Sequence, residues 1–208
     1  MKNRNFRTLK GLRQRQAGYT LVELAITVSI ISLLIVSSIA GVQGLLLANK
    51  VNRTLTQTTV ATANITKLIA ATNYQDFKTA DLIKLGAWDI SAVRGGGASV
   101  ENPFAGVIRV GANSETVGSY AKNAGFMYVL SAVPETHCAS LVTSLYTTSP
   151  GIFIKGATAD GDIGKTPANY AYRLPGRVAG DSLDDLTKGC KAGPTDFGLV
   201  EVTLFIPT

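Results

Sequence analysis

Histidine and tryptophan each occur once, and cysteine twice, among the 208 residues. Chemistry built on sets of imidazoles or thiolates therefore has almost no material. The lone histidine, His137, adjoins Cys138, and adjacent residues on a helix do not face each other, so a thiol–imidazole pair is excluded. No proline precedes Pro103, so nothing forces a helix to stop in the first hundred residues. No acid occurs in residues 1–18, and no charge of either sign lies between Glu23 and Lys50. Gly164-Lys165-Thr166 resembles the end of a phosphate-binding loop, but Ala159 stands where its first glycine is required. Asp160-Gly161-Asp162 lacks the fuller ligand set of a calcium loop and reads as a solvated turn. The residues thus supply no catalytic group, no metal site and no cofactor site, and the expectation is a protein that is not an enzyme.

The charge that is present is unevenly placed. Lys2, Arg4, Arg7, Lys10, Arg13 and Arg15 lie in the first 18 residues, and the fourteen remaining Lys/Arg are matched by fourteen Asp/Glu. The net charge of +6 belongs to this leader alone. A leader of this kind stays on the cytoplasmic side of a membrane by the positive-inside rule. No excess basic charge remains to point to nucleic acid.

Residues 24–49 carry no charge, and about 25 helical residues span about 37 Å, enough to cross the hydrocarbon core. Ile26, Val28, Ile30, Ile31, Leu33, Leu34, Ile35, Val36 and Ile39 are apolar on every side of a helix, which fits lipid or a fully buried setting. Thr27, Ser29, Ser32, Ser37 and Ser38 can return their hydroxyls to the backbone and permit close packing of helices. Gly41 and Gly44 weaken the helix locally. Glu23 sits at the start of the segment, and an ionised side chain in a membrane helix costs roughly 2.5 kcal/mol or more, so a partner is expected. Beyond Lys50, Leu47, Val51, Leu55, Thr58, Thr62, Ile65 and Ile69 recur at steps of three and four, an amphipathic stripe ending near Asn73. Asn52-Arg53-Thr54 and Asn64-Ile65-Thr66 match glycosylation sequons but fall on that helix, where chance explains them.

From residue 74 the texture changes. A short helix in Asp76-Phe77 and Asp81 to Leu85, strands over Gly106–Val110, Phe126–Val133, Gly151–Lys155 and Gly198–Ile206, and a helix over Glu135–Thr147 are expected, with a helical turn from Asp181 to Lys188. Gly95-Gly96-Gly97 and residues 156–181 read as loops, and Trp88 as a core anchor. The fold class is α+β: a long N-terminal helix packed on an antiparallel sheet head. Cys138 and Cys190 can pair if this part lies outside the cytoplasm, and stay free otherwise.

At Gly18-Tyr19-Thr20-Leu21-Val22-Glu23 the chain resembles the type IV prepilin signature, with a basic leader, a glycine at its end and Glu fifth in the mature chain. The resemblance extends through the apolar helix. In the head it continues at Asn102-Pro103-Phe104-Ala105-Gly106 before a strand, and at Val133-Pro134 leading to Cys138 and a helix. Cysteines that bracket the C-terminal part, with the last strand after the second, are similar to the disulfide-bounded region of these pilins, here 138–190. The 18-residue leader and the length of the mature chain resemble the type IVb subclass.

The resemblance implies a prepilin peptidase that cuts between Gly18 and Tyr19 and methylates the new amine of Tyr19, where Phe, Met or Leu is more usual. It implies a structural subunit with Glu23 used in filament assembly, a Cys138–Cys190 bridge, and three parts. These are a leader (1–18), a long helix (19–73, with 19–49 in the membrane or filament core) and a head (74–208). Its partners are further copies of itself, the peptidase and the inner-membrane assembly machinery. Its location is the bacterial inner membrane, with leader cytoplasmic and head periplasmic, and then an extracellular pilus.

Cleavage frees a cationic amine on Tyr19 one helical turn before Glu23. The amine of an incoming subunit could then meet a neighbour's Glu23, an attraction that strengthens at low dielectric. A minor pilin or secretion pseudopilin shares the leader. A secreted binding protein with an ordinary signal peptide, cut after Ser38-Ile39-Ala40 and before Gly41, is the alternative of another class.

Overall fold

A computed structural model describes residues 19–72, 77–156, 171–173, 183–191 and 197–208. Gly18, Asn73, Asp76, Asp160 to Asp162, Gly164 to Thr166 and Asp181 lie outside the described residues. Four helices are described, α1 (Leu21–Thr72), α2 (Thr79–Lys84), α3 (Glu135–Leu145) and α4 (Leu183–Gly189). Seven strands accompany them, β1 (Val93–Arg94), β2 (Ser99–Glu101), β3 (Val107–Ala112), β4 (Gly125–Pro134), β5 (Gly151–Gly156), β6 (Ala171–Arg173) and β7 (Leu199–Pro207). By packing the chain divides into two units, Met1–Gly44 and Leu45–Thr208.

In the first unit, α1 starts where Thr20 Oγ1 accepts the Glu23 N–H at 3.2 Å and Thr20 O accepts the Leu24 N–H at 3.1 Å. A threonine cap of this kind stabilises a helix by about 1 kcal/mol. The polar side chains that follow need no outside partner. Thr27 donates to Leu24 O at 2.8 Å, Ser29 to Ala25 O at 2.7 Å, Ser32 to Val28 O at 2.7 Å, and Ser37 and Ser38 to Leu33 O and Leu34 O. Each hydroxyl is satisfied within its own helix, so the exterior is left apolar. Gly41 and Gly44 are helical, with open space around both.

In the second unit every strand pairing is antiparallel and the sheet order is β1-β2-β3-β4-β7-β5-β6. The last strand of the chain sits inside the sheet, between β4 and β5. Val200, Val202, Leu204 and Ile206 of β7 alternate onto one face, with Phe126, Tyr128 and Leu130 of β4 and Ile152 and Ile154 of β5. Val51, Ala61 and Ile65 of α1 close over that face, with Leu55, Leu68 and Ile69 at its margin. Thr58, expected in the stripe, is fully buried on the same helical face, and so is Thr54, which the stripe did not include. Thr54 returns its hydroxyl to Lys50 O at 2.8 Å, which is how a mediocre helix former is accommodated inside.

The expected strands and the helix at Glu135 are present with ends shifted by one or two residues. Three strands were not expected from the sequence. Residues 95–97, expected as loop, form the turn of a β1–β2 hairpin in which Gly95, Gly96 and Gly97 all have positive φ. β1 and β2 hold only two and three residues, too few for an alternation to be read. β6, also of three residues, falls within the stretch expected as loop.

Candidate functional site

Tyr19 precedes the Thr20 cap and stands outside α1, while Glu23 lies in its first turn. Within one chain the two are therefore not the helical neighbours that the spacing suggests. Glu23 occupies the end of the helix dipole that favours a carboxylate, a contribution of about 0.3–1 kcal/mol. From there the surface is continuously apolar. Every large apolar side chain from Leu21 to Leu46 is at least half exposed, from Val42 at 52% to Leu21 at 87%. Among the described residues α1 is the helix long and apolar enough to cross a membrane, with a mean hydropathy of 2.3 over its best window.

The second sequence-predicted pair is joined. Cys138, in the first turn of α3, and Cys190, just after α4, form a disulfide with Cα atoms 5.5 Å apart, inside the usual range. Both are buried. His137 keeps a hydrogen bond to Thr136 Oγ1 at 2.7 Å, and its neighbouring sulfur is consumed by the bridge. Trp88 is an anchor: its Nε1–H donates to Tyr128 Oη at 3.3 Å beneath α1. Burial raises the Tyr128 phenol well above its ordinary range, opposed by the polar influence of Trp88 and Thr58. Hydrogen bonds from Ser91 hold the exposed Asp89 carboxyl below its ordinary value.

The segment Asn102-Pro103-Phe104-Ala105-Gly106 is a tightly specified turn. Asn102 is 3% exposed; its Oδ1 accepts from Phe104 N at 2.9 Å and Gly106 N at 3.1 Å, and its Nδ2 donates to Ser131 O at 2.8 Å. A Cβ at Gly106 would stand 1.9 Å from Ser131 O, so only glycine fits. Opposite, the β4 ladder slips between Leu130 and Val133, with Ala132 at φ 55°. Ser131 bridges that bulge: its Oγ accepts from Val107 N and donates to Val107 O, each at 2.8 Å.

One polar cluster went unrecognised from the sequence. On the sheet face away from α1, Glu201 of β7 is 6% exposed and pairs with Arg109 of β3 and, at 3.8 Å, with Lys155 of β5. The signal was available: GVIRV, GLVEVTLFI and GIFIK each place a single charge in an apolar strand, two positive and one negative. Among the described residues no group of His, Cys, Asp and Glu is arranged to hold a metal.

A long N-terminal apolar helix with a capped, acidic start, followed in the chain by a seven-stranded antiparallel head with a disulfide in its C-terminal part, defines the type IV pilin fold. The chain is similar to the type IVb pilin from Salmonella typhi at 20% identity, covering 77% of this chain and 99% of that one with a TM-score of 0.50. It is also similar to TcpA, a type IV pilin from Vibrio cholerae El Tor biotype, at 19% identity over 74% of this chain and 98% of that one, with a TM-score of 0.47. The profile described as prokaryotic N-terminal methylation motif matches residues 13–39. The profile described as PilS N terminal matches residues 48–171, more than half of the chain, and the chain belongs to that family. No curated protein matches it. It is thus a type IV pilin-like protein with an N-terminal methylation motif.

Proposed function

We propose that the chain is the structural subunit of a type IVb-like pilus. Prepilin peptidase removes residues 1–18 after Gly18 and methylates the amine of Tyr19. The mature protein then has a helical part over 19–73 that carries α1, with 19–49 in the inner membrane and later in the filament core, and a periplasmic head over 74–208. The observation that carries this reading is the helix exterior, where every large apolar side chain from Leu21 to Leu46 is at least half exposed. Such a surface needs lipid first and neighbouring helices afterwards. Glu23, at the start of that surface, meets the Tyr19 amine of an adjacent subunit and fixes the stagger between copies.

Mass spectrometry of the mature N-terminus tests the first step. A chain that begins at methylated Tyr19 supports it, and one that begins at Gly41 sinks it in favour of an ordinary signal peptide. Electron microscopy tests the second. Glu23→Ala is expected to be cleaved normally and to give no filaments, and filaments at the parent's level would refute the pairing.

A further inference from the structure

We propose that the groove beside β3 is a binding site for a polyanionic polysaccharide carrying carboxylate or sulfate groups. The groove has a volume of about 840 Å³ and lies between the Phe77–Ala80 segment, the β1–β2 hairpin, β3 and the β3–β4 loop that holds Ser114, Lys122 and Asn123. Its lining contains three cations, Lys78, Arg109 and Lys122, and no carboxylate. Arg109 is held by buried Glu201 on the sheet face, so Lys78 and Lys122, both exposed, carry the net charge of the groove. Among the described residues neither lysine makes a salt bridge. The nearby Asp81 carboxylate is turned to the backbone, accepting the Lys78 N–H at 3.1 Å.

The lining also holds hydroxyl and amide groups, Ser99, Ser114 and Asn123, which suit a ligand that carries hydroxyls as well as charges. A single phosphate-sized anion would leave most of this volume to water. A nucleic-acid strand needs a wider basic track and exposed aromatic faces on which to stack. Phe77, the only aromatic residue in the lining, is 6% exposed and packed edge-on against Phe126. The backbone that shapes the groove is fixed: Thr79 Oγ1 accepts from Val110 N at 2.8 Å, and Lys78 bridges to Gly111. The site belongs to a single chain and does not depend on assembly.

Lysine footprinting of the full chain in detergent micelles, read peptide by peptide, keeps the cations of the leader from confusing the result. Dextran sulfate or polygalacturonate is expected to slow acylation of Lys78 and Lys122 about fivefold relative to exposed Lys67, with the protection lost as salt is raised. Uncharged dextran should leave all three unchanged. The Lys78→Gln/Lys122→Gln variant, altered only at exposed side chains, should bind either polymer about tenfold more weakly through its head. Protection by one polymer alone identifies which anionic group is read. The proposal is overturned if Lys78 and Lys122 are protected no more than Lys67 by either polymer, or if inorganic phosphate at equal charge protects them as well.

Discussion

Breaking the Cys138–Cys190 bridge tests how the head is held together. The bridge spans 52 residues of sequence, and in the chain-entropy model closing such a loop restrains the unfolded chain by about 4 kcal/mol. On the folded side α4 packs beside β5 and β6. Leu186 is buried, and Gly189 lies so close to Ile154 that an added Cβ would stand 3.1 Å from it. Against a domain stability of about 5–15 kcal/mol, losing about 4 is a large fraction. The assay is urea unfolding of Cys138→Ser/Cys190→Ser in mild detergent, followed by the fluorescence of Trp88, the one tryptophan, which is buried against Tyr128. With a urea slope of about 2 kcal/mol per molar, the midpoint should fall by about 2 M. Reductant should bring the parent to the same midpoint and leave the variant unmoved. A midpoint within about 0.5 M of the oxidised parent, equivalent to about 1 kcal/mol, would show that the bridge does not restrain the unfolded head in this way.

Two further perturbations follow from the core. Glu201→Ala leaves Arg109 and Lys155 facing each other without their shared carboxylate. It should cost about 3–5 kcal/mol in urea unfolding, whereas Arg109→Met/Glu201→Leu should cost less, because the carboxylate and the guanidinium leave together and only Lys155, with its side chain 24% exposed, keeps a charge that can turn to water. Tyr128 has its phenol pKa raised by burial, so its stabilising contribution is complete below the unfolded value of about 10 and is lost as pH rises through the folded value. The parent's melting temperature should therefore fall on moving above about pH 10. Tyr128→Phe should start lower, because Trp88 Nε1–H loses its acceptor, and should show a shallower alkaline decline.

The sequence made the helices and long strands legible because each carries a period or an uninterrupted apolar run. GLVEVTLFI reads as a strand whatever surrounds it, and β7 confirms it. Its place between β4 and β5 could not be read, because strand order depends on contacts distant in sequence. Asn102-Pro103-Phe104-Ala105-Gly106 was noticed as a resemblance, but its reason is tertiary: the Ser131 carbonyl leaves no room for a side chain at Gly106. The Arg109–Glu201–Lys155 cluster was hidden for a related reason. Each strand carries one charge, and only the sheet order, with β4 between β3 and β7 and β5 on the far side of β7, brings the three together.

Glu23 is the residue on which sequence and structure bear most differently. At the head of an uncharged stretch it reads as a carboxylate for which a partner is expected. The magnitudes separate insertion from assembly. Moving the exposed apolar side chains of Leu21 to Leu46 out of water is worth on the order of 20 kcal/mol. A carboxylate even at a helix centre costs roughly 2.5–3.5 kcal/mol by insertion scales, and Glu23 lies in the first turn, where the dipole and the membrane interface both lower that cost. Insertion therefore does not require a partner. Assembly imposes a different demand, because a helix start surrounded by other helices loses the interface and its water, and an unpaired charge there is strongly penalised. Glu23→Ala should consequently leave the amount of chain in the membrane fraction unchanged while abolishing filaments. A variant lost from the membrane would show instead that the carboxylate serves the anchor.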